Sequence, residues 1–189
     1  MKKIALFGTS ADPPTIGHQN ILHWLSQHYD RVVVWASDNP FKQDQTPLQY
    51  RSEMLQLAVD DLGLNNTYLH PELSDRYTLI TVNQARRKWG ENFELNLVIG
   101  SDIVPQIHSW YGIKELLVQV KMLIVPRVGY GIETADLASL NRLGGEYAIA
   151  SLKVAEVSSS TYRLQKDQSL VTTSVRDYIK RWNLYSSPI

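Results

Sequence analysis

Short apolar runs separated by segments of helical periodicity predict an α/β protein built on a right-handed, doubly wound parallel sheet. Three observations carry this. Ile4-Ala5-Leu6-Phe7, Val32-Val33-Val34-Trp35, Leu95-Asn96-Leu97-Val98-Ile99 and Met122-Leu123-Ile124-Val125 are near-continuous rather than alternating apolar runs. That pattern suits strands buried on both faces, as parallel sheets require. Two of the runs stop at a glycine, Gly8 and Gly100. Between the runs lie segments with one apolar side at helical spacing, so strand and helix alternate along the chain. In such sheets ligands bind beyond the carboxyl ends of the strands. The segments after Phe7, Trp35, Ile99 and Val125 are therefore the places to look for a site.

Taken in order, the first strand ends at Gly8, and Pro13-Pro14 breaks the chain before a helix carrying Ile21, Leu22 and Leu25 through His28. The second strand closes a βαβ unit. Thr46-Pro47 reads as an N-cap and first-turn proline for a helix with Met54, Leu55, Ala58 and Val59 on one side. Thr67-Tyr68-Leu69 is a short third strand. Leu79, Val82 and Arg86 mark the next helix, ended by Gly90. Beyond Pro126 the periodicity weakens, with Gly129, Gly131, Gly144 and Gly145 marking loops and helices resuming near Ser159 and Ser174. Residues 1–150 are expected to form the α/β core and 151–189 a small C-terminal helical subdomain.

The 189 residues suffice for one full hydrophobic core. Lys plus Arg and Asp plus Glu both number 19, so no global field favours nucleic acid or an anionic membrane, and any anion site must be local. The absence of cysteine excludes thiolate-held metals, disulfides and thiol catalysis. The apolar run at the N-terminus ends at Phe7, too short for a signal core, and no run approaches a membrane span. A soluble, cytoplasmic protein is expected.

The segment from Phe7 to His18, Phe-Gly-Thr-Ser-Ala-Asp-Pro-Pro-Thr-Ile-Gly-His, joins a buried strand to a helix. Gly8 lets backbone approach a ligand, Thr9 and Ser10 offer hydroxyls, and the free N–H groups of the helix start favour phosphate. Thr15 and His18 are positioned to reach the same anion. Neither G-x-x-x-x-G-K-[ST] nor G-x-G-x-x-G is present, so this is not a P-loop or a dinucleotide fingerprint. Farther on, Ser158-Ser159-Ser160-Thr161-Tyr162-Arg163 reads as a second hydroxyl-rich helix start, with Arg163 one turn in.

Thr15-Ile16-Gly17-His18 matches the [HT]-x-G-H signature of a nucleotidyltransferase superfamily, and Ser158 to Arg163 matches its Ser-Ser-[ST]-x-x-[RK] element. Within that superfamily the chain resembles the bacterial nicotinate-nucleotide adenylyltransferases over almost its whole length. The resemblance runs through Asn39-Pro40-Phe41-Lys42, Arg51 and Met54, Tyr77-Thr78-Leu79-Ile80-Thr81, Gly100-Ser101-Asp102, Trp110-Tyr111, Val175 with Tyr178-Ile179, and Leu184-Tyr185. Thr9, Ala11, Thr15 and Thr172 stand where that family usually has Gly, Phe, His and Pro. Thr15 is the form seen in pantetheine-phosphate adenylyltransferases.

The resemblance implies a Rossmann-like fold and transfer of AMP from ATP to nicotinate mononucleotide, with pantetheine-phosphate or nicotinamide-mononucleotide adenylyl transfer as the alternative reactions. A nucleotide-binding regulatory module is the alternative that needs no catalysis. It implies His18, Lys42 and Arg163 as the catalytic set, His18 donating a hydrogen bond to the transition state and Arg163 holding the β- and γ-phosphates. For ATP it implies Gly8, Thr9, Ser10, Thr15, Gly17, His18, Gly100, Asp102, Ser158, Ser159, Ser160 and Arg163. For the acceptor it implies Ser10, Ala11, Lys42, Thr78, Leu79, Asp102, Trp110 and Tyr111, with backbone N–H groups near Thr78, Leu79 and Tyr111 meeting the nicotinate carboxylate. Asp102 is either a ribose acceptor or a helix N-cap. Trp110 is a stacking ring, and the other four tryptophans are mostly core. Mg²⁺ is expected to come with ATP, with no metal site of protein ligands. His23, His28, His70 and His108 show no ligand spacing, and Arg86-Arg87-Lys88 reads as a solvated helix face. The oligomeric state is left open, a homo-oligomer included.

Overall fold

The computed structural model describes residues 1–38, 42, 44–152 and 157–186. Its sheet has six strands in the order β3-β2-β1-β4-β5-β6, with every neighbouring pair parallel. β1 (Lys2–Thr9) lies centrally; β2 (Arg31–Ala36) and β3 (Thr67–Leu69) extend to one side, and β4 (Phe93–Gly100), β5 (Lys121–Val125) and β6 (Tyr147–Ile149) to the other. The chain thus reverses its direction of travel between β1 and β4. That reversal opens a crevice at the carboxyl ends of these two strands, where doubly wound folds bind ligands.

The continuous apolar strands are explained by burial on both faces. On one face Ile4, Leu6, Val33, Leu97, Ile99 and Met122 pack with Leu79, Val82 and Leu116. These last come from α3 (Thr78–Trp89) and α4 (Ile113–Gln119). On the other face Ala5, Phe7, Val32, Val34, Val98 and Leu123 meet Leu22 and Leu25 of α1 (Ile16–His28) and Leu55 and Val59 of α2 (Leu48–Asp60). A separate apolar cluster joins Met54 and Ala58 of α2 to Tyr162 of α6 (Ser159–Gln165), Val171, and Val175 and Ile179 of α7 (Thr173–Arg181). The apolar side expected for α2 is therefore split between two partners. Positions 54 and 58 lie one residue, about 100° of helical rotation, from 55 and 59.

Several elements differ from the sequence-based expectation. β6, α4 and α5 (Thr134–Arg142) were not expected, nor were the 3₁₀ turns over Ser101–Ser109. β6 has three residues, two of them exposed, and α5 buries only Leu140, so neither writes an amphipathic period into the chain. Pro47 occupies the N-cap of α2 rather than its first turn, and Thr46 does not cap the helix. The Thr46 N–H instead donates to Asp12 Oδ2 at 3.2 Å and its carbonyl accepts from Arg51 Nε at 2.7 Å. Arg86 is not a solvated residue: its guanidinium donates to the carbonyls of Gly90, Phe93 and Gln119, tying the end of α3 to β4 and α4. Arg87 and Lys88 do lie exposed.

Candidate active site

Thr15 is the N-cap of α1, and His18, three residues in, turns back onto it. The Thr15 N–H donates to His18 Nδ1 at 3.0 Å, and Thr15 Oγ1 lies 2.9 Å from the same nitrogen. An Nδ1 that accepts an N–H carries no proton, so the ring's hydrogen sits on Nε2. Burial, then the positive charges of Arg127 and Lys42, lower the His18 pKa to about 4. At neutral pH His18 is thus a neutral imidazole with one N–H donor.

The second motif closes against the first. Ser158 caps α6, its Oγ accepting the Thr161 N–H at 3.1 Å. Ser159 Oγ donates to the Pro13 carbonyl at 2.8 Å, and Arg163 donates to the Asp12 carbonyl at 2.5 Å and to Ser160 Oγ at 3.3 Å. A Cβ built on Gly17 would meet the Val157 carbonyl oxygen at 2.7 Å, so glycine here is required by the close approach of the chain entering α6. The starts of α1 and α6 are neighbours although they lie some 140 residues apart in sequence.

Lys42 Nζ donates to Ser10 Oγ at 2.9 Å, bringing a cation to the same loop. Burial and the nearby Arg127 lower its pKa, opposed by Asp102, so these side chains share one electrostatic neighbourhood. Asn39, Pro40 and Phe41 lie outside the described residues. Arg51 is 2% exposed and fastens three loops, donating to the carbonyls of Ser10, Ser37 and Thr46 at 2.9, 2.8 and 2.7 Å. No sequence pattern reveals that task.

On the β4 side, Asp102 does not cap its 3₁₀ turns; Gly100 holds the cap position. Its Oδ2 pairs with Arg127 Nη1 at 2.8 Å, while Oδ1 is buried without a hydrogen-bond partner among the described residues. Gly100 makes room for the pair, since a Cβ there would collide with Asp102 Oδ1 and lie 2.8 Å from Arg127 Cδ. Ser101 Oγ accepts the Arg127 N–H and donates to the Tyr130 carbonyl, both at 2.9 Å, fixing the loop after β5. Arg127 lies beside the candidate site through its pair with Asp102 and is a residue that sequence reasoning misses. Its only signal is its place two residues after Val125, at a strand's carboxyl end.

The expected acceptor elements also meet. The rings of Tyr77 and Tyr111 lie 4.7 Å apart at 40°, and a Cβ on Gly112 would collide with Leu79 Cδ2. α3 begins at Thr78 with no side-chain cap, leaving its first N–H groups available at that edge. Trp110 is half-buried against the core, and Leu79 is buried. The space a Gly8 side chain would fill is taken by the Trp35 indole at 2.6 Å, so a glycine is needed at this strand end. Ala11 is fully buried at φ 45°, and its methyl belongs to the core. Thr9 and Ser10 remain half-exposed at the end of β1.

Comparison with known proteins shows the family. Residues 6–165 match the cytidylyltransferase-like family. A protein of Synechocystis sp. named a probable nicotinate-nucleotide adenylyltransferase is 45% identical, over 97% of this chain and 98% of its own. The nicotinate-nucleotide adenylyltransferase of Bacillus subtilis is 28% identical over 99% of this chain and 100% of its own. Among solved structures, the Plasmodium falciparum nicotinic acid mononucleotide adenylyltransferase complexed with NaAD superposes with a TM-score of 0.83 at 20% identity, covering 98% of each chain, which attests the fold. With two helix starts joined at a doubly wound sheet and relatives such as these matching over their full length, this chain belongs to the nicotinate-nucleotide adenylyltransferase family of cytidylyltransferase-like enzymes.

Proposed function

We propose that this chain transfers AMP from ATP to nicotinate mononucleotide, yielding nicotinate adenine dinucleotide and pyrophosphate, a step of NAD biosynthesis. The observation that carries this reading is the neutral His18 held on Thr15 at the start of α1, which adjoins the start of α6, with the cations Lys42 and Arg127 near it and Arg163 seated on the Asp12 carbonyl. A phosphate oxygen of the acceptor attacks the α-phosphorus; a new P–O bond forms as the bond to the β-phosphate oxygen breaks, and pyrophosphate leaves in line. The protein positions the reactants and stabilises the charge that develops. His18 Nε2–H donates to an α-phosphoryl oxygen without exchanging a proton. Arg163, fixed on the Asp12 carbonyl, takes the departing β- and γ-phosphates with the hydroxyl-rich start of α6. Lys42 neutralises phosphate charge between the two substrates.

For ATP, Thr9, Ser10, Thr15, Gly17 and Ser158 to Ser160 shape the phosphate cradle, while Gly100 and Asp102 offer ribose hydroxyls a carboxylate oxygen that has no partner among the described residues. Arg127 holds Asp102 in place. For the acceptor, the uncapped start of α3 at Thr78 and Leu79 and the backbone of Tyr111 supply N–H donors to the nicotinate carboxylate, beside the Trp110 ring. Among the described residues no group of three or more His, Cys, Asp or Glu side chains converges as a metal site. Mg²⁺ would arrive on ATP, held by phosphates and water. Residues 151–189 act as the helical unit completing the ATP side of a core formed by 1–150. No helix among the described residues is long and apolar enough to cross a membrane. A cytoplasmic enzyme of small nucleotides, without a nucleic-acid partner and able to associate as a homo-oligomer, goes with this reading.

Pyrophosphate release tests it, with ATP, Mg²⁺ and each of nicotinate mononucleotide, its amide counterpart and pantetheine phosphate. The acid should be preferred over the amide by roughly ten- to one-hundred-fold in kcat/KM, because the amide leaves one buried donor unpaired at about 1 to 3 kcal/mol. Equal efficiencies, or a preference for the amide, would overturn the carboxylate-recognition part; no release with any acceptor would overturn the reaction.

A further inference from the structure

The loop from Ser10 to Pro13 is held from three directions. Arg51 reaches the Ser10 carbonyl from α2, and Arg163 and Ser159 reach the Asp12 and Pro13 carbonyls from α6. The third hold acts on the Asp12 side chain, which is 4% exposed. Its Oδ2 accepts the Thr46 N–H, and its Oδ1 accepts the Tyr185 hydroxyl at 2.6 Å. A buried carboxylate is stable only when its oxygens are satisfied. Here one oxygen depends on a residue 173 positions away, in the turn beyond α7.

That turn is bent back with evident backbone effort. Asn183 and Tyr185 both adopt left-handed φ, 50° and 60°, a conformation unfavourable for a bulky tyrosine unless the surroundings enforce it. Contacts with α6 enforce it: Lys166 Nζ donates to the Tyr185 carbonyl at 2.5 Å, and the Tyr162 and Tyr185 rings meet edge to face at 6.0 Å. Tyr162 directly precedes Arg163. Burial and the Asp12 carboxylate push the Tyr185 phenol far above its ordinary value, so the hydroxyl remains a donor at any working pH.

We propose that Tyr185 is a positioning residue for ATP: by fixing the Asp12 carboxylate it fixes the Asp12 carbonyl on which Arg163 is seated, and so aims Arg163 at the pyrophosphate without touching it. This rests on the adenylyl-transfer reading. A tie that merely stabilised the fold would affect both substrates alike. A tie acting through Asp12 and Arg163 should affect the nucleotide alone.

The test is Tyr185→Phe in the full chain, which keeps the ring against Tyr162 and removes only the hydroxyl. Calorimetric binding of Mg-ATP, KM for each substrate and the thermal midpoint are measured. The Kd and KM for ATP should each rise about ten-fold, the scale of one hydrogen bond to a charged group, with the acceptor KM within about two-fold of wild type. In an Asp12→Asn background the same substitution should add little, because the two residues act as one unit. Unchanged ATP constants in folded protein, or equal rises for both substrates, would overturn the proposal. Should Tyr185→Phe fail to fold, Lys166→Ala, which frees the same turn from its backbone side, carries the same expectation and the same refutation. If wild type binds Mg-ATP yet releases no pyrophosphate with any acceptor, adenylyl transfer fails as the function, while the binding comparison still decides the role of Tyr185.

Discussion

Gly17→Ala tests whether the two phosphate motifs work as one unit. At a free helix position the added methyl would stabilise α1 by up to about 1 kcal/mol. Here the ideal Cβ lies 2.7 Å from the Val157 carbonyl oxygen and 3.4 Å from Thr15 Oγ1. An ordinary carbon–oxygen contact is roughly 3.3 Å, so the start of α1 and the chain entering α6 must part by about 0.6 Å. Overpacking of this kind costs about 1 to 3 kcal/mol, which outweighs the helix gain. With the full helix gain subtracted the net loss is up to about 2 kcal/mol, so the thermal midpoint should fall by up to roughly 8 °C for a chain of this size. The larger effect is functional. A misplacement approaching 1 Å between groups that must act together costs on the order of 100-fold, so kcat/KM should fall roughly 10- to 100-fold in folded protein. Thermal melting and steady-state pyrophosphate release measure the two effects. A Gly17→Ala protein more stable than wild type and equally active would refute the close approach.

The same site yields further expectations. His18→Ala should lower kcat by about 100-fold or more with the fold intact, since one preorganised donor contributes roughly 3 to 4 kcal/mol to the transition state. Near-normal turnover would remove His18 from that role. The His18 pKa is lowered to about 4 from 6.5, so the unfolded chain binds the extra proton first as pH falls. The contribution of His18 to stability is therefore complete above pH 6.5 and is lost between 6.5 and 4. Turnover should accordingly show no inflection near 6.5 from this residue, and an NMR titration of His18 with a midpoint near 6.5 would contradict the burial and the neighbouring cations that lower it. Arg163→Ala should chiefly raise the KM for ATP, and an effect confined to the acceptor constant would show the site reversed. Arg127→Ala should move the His18 midpoint upward yet keep it below 6.5, because burial, the larger cause, persists. No movement at all would separate Arg127 from the site.

Local order carried much of this protein into view. The four long strands are legible because burial on both faces leaves few polar residues in them, and the starts of α1 and α6 because caps, hydroxyls and a glycine fall within six residues of each other. Short elements such as β6 and α5 bury too little to impose a period and could not be read.

What the sequence by itself determined was the doubly wound class and the two helix starts, and it singled out His18, Lys42 and Arg163 as the residues proposed to carry the chemistry. What only the tertiary structure decided was how these meet. The meaning of Gly17 and Gly100 depends on atoms of Val157, Asp102 and Arg127. The protonation state of His18 depends on its burial and on two cations brought from other loops. The tasks of Arg51, Asp12 and Tyr185 are hydrogen bonds to carbonyls, N–H groups and hydroxyls that any residue type can surround. Periodicity and capping are interactions between near neighbours and leave a pattern in the chain. A hydrogen bond between residues 173 positions apart leaves none, because folding alone brings the two ends together.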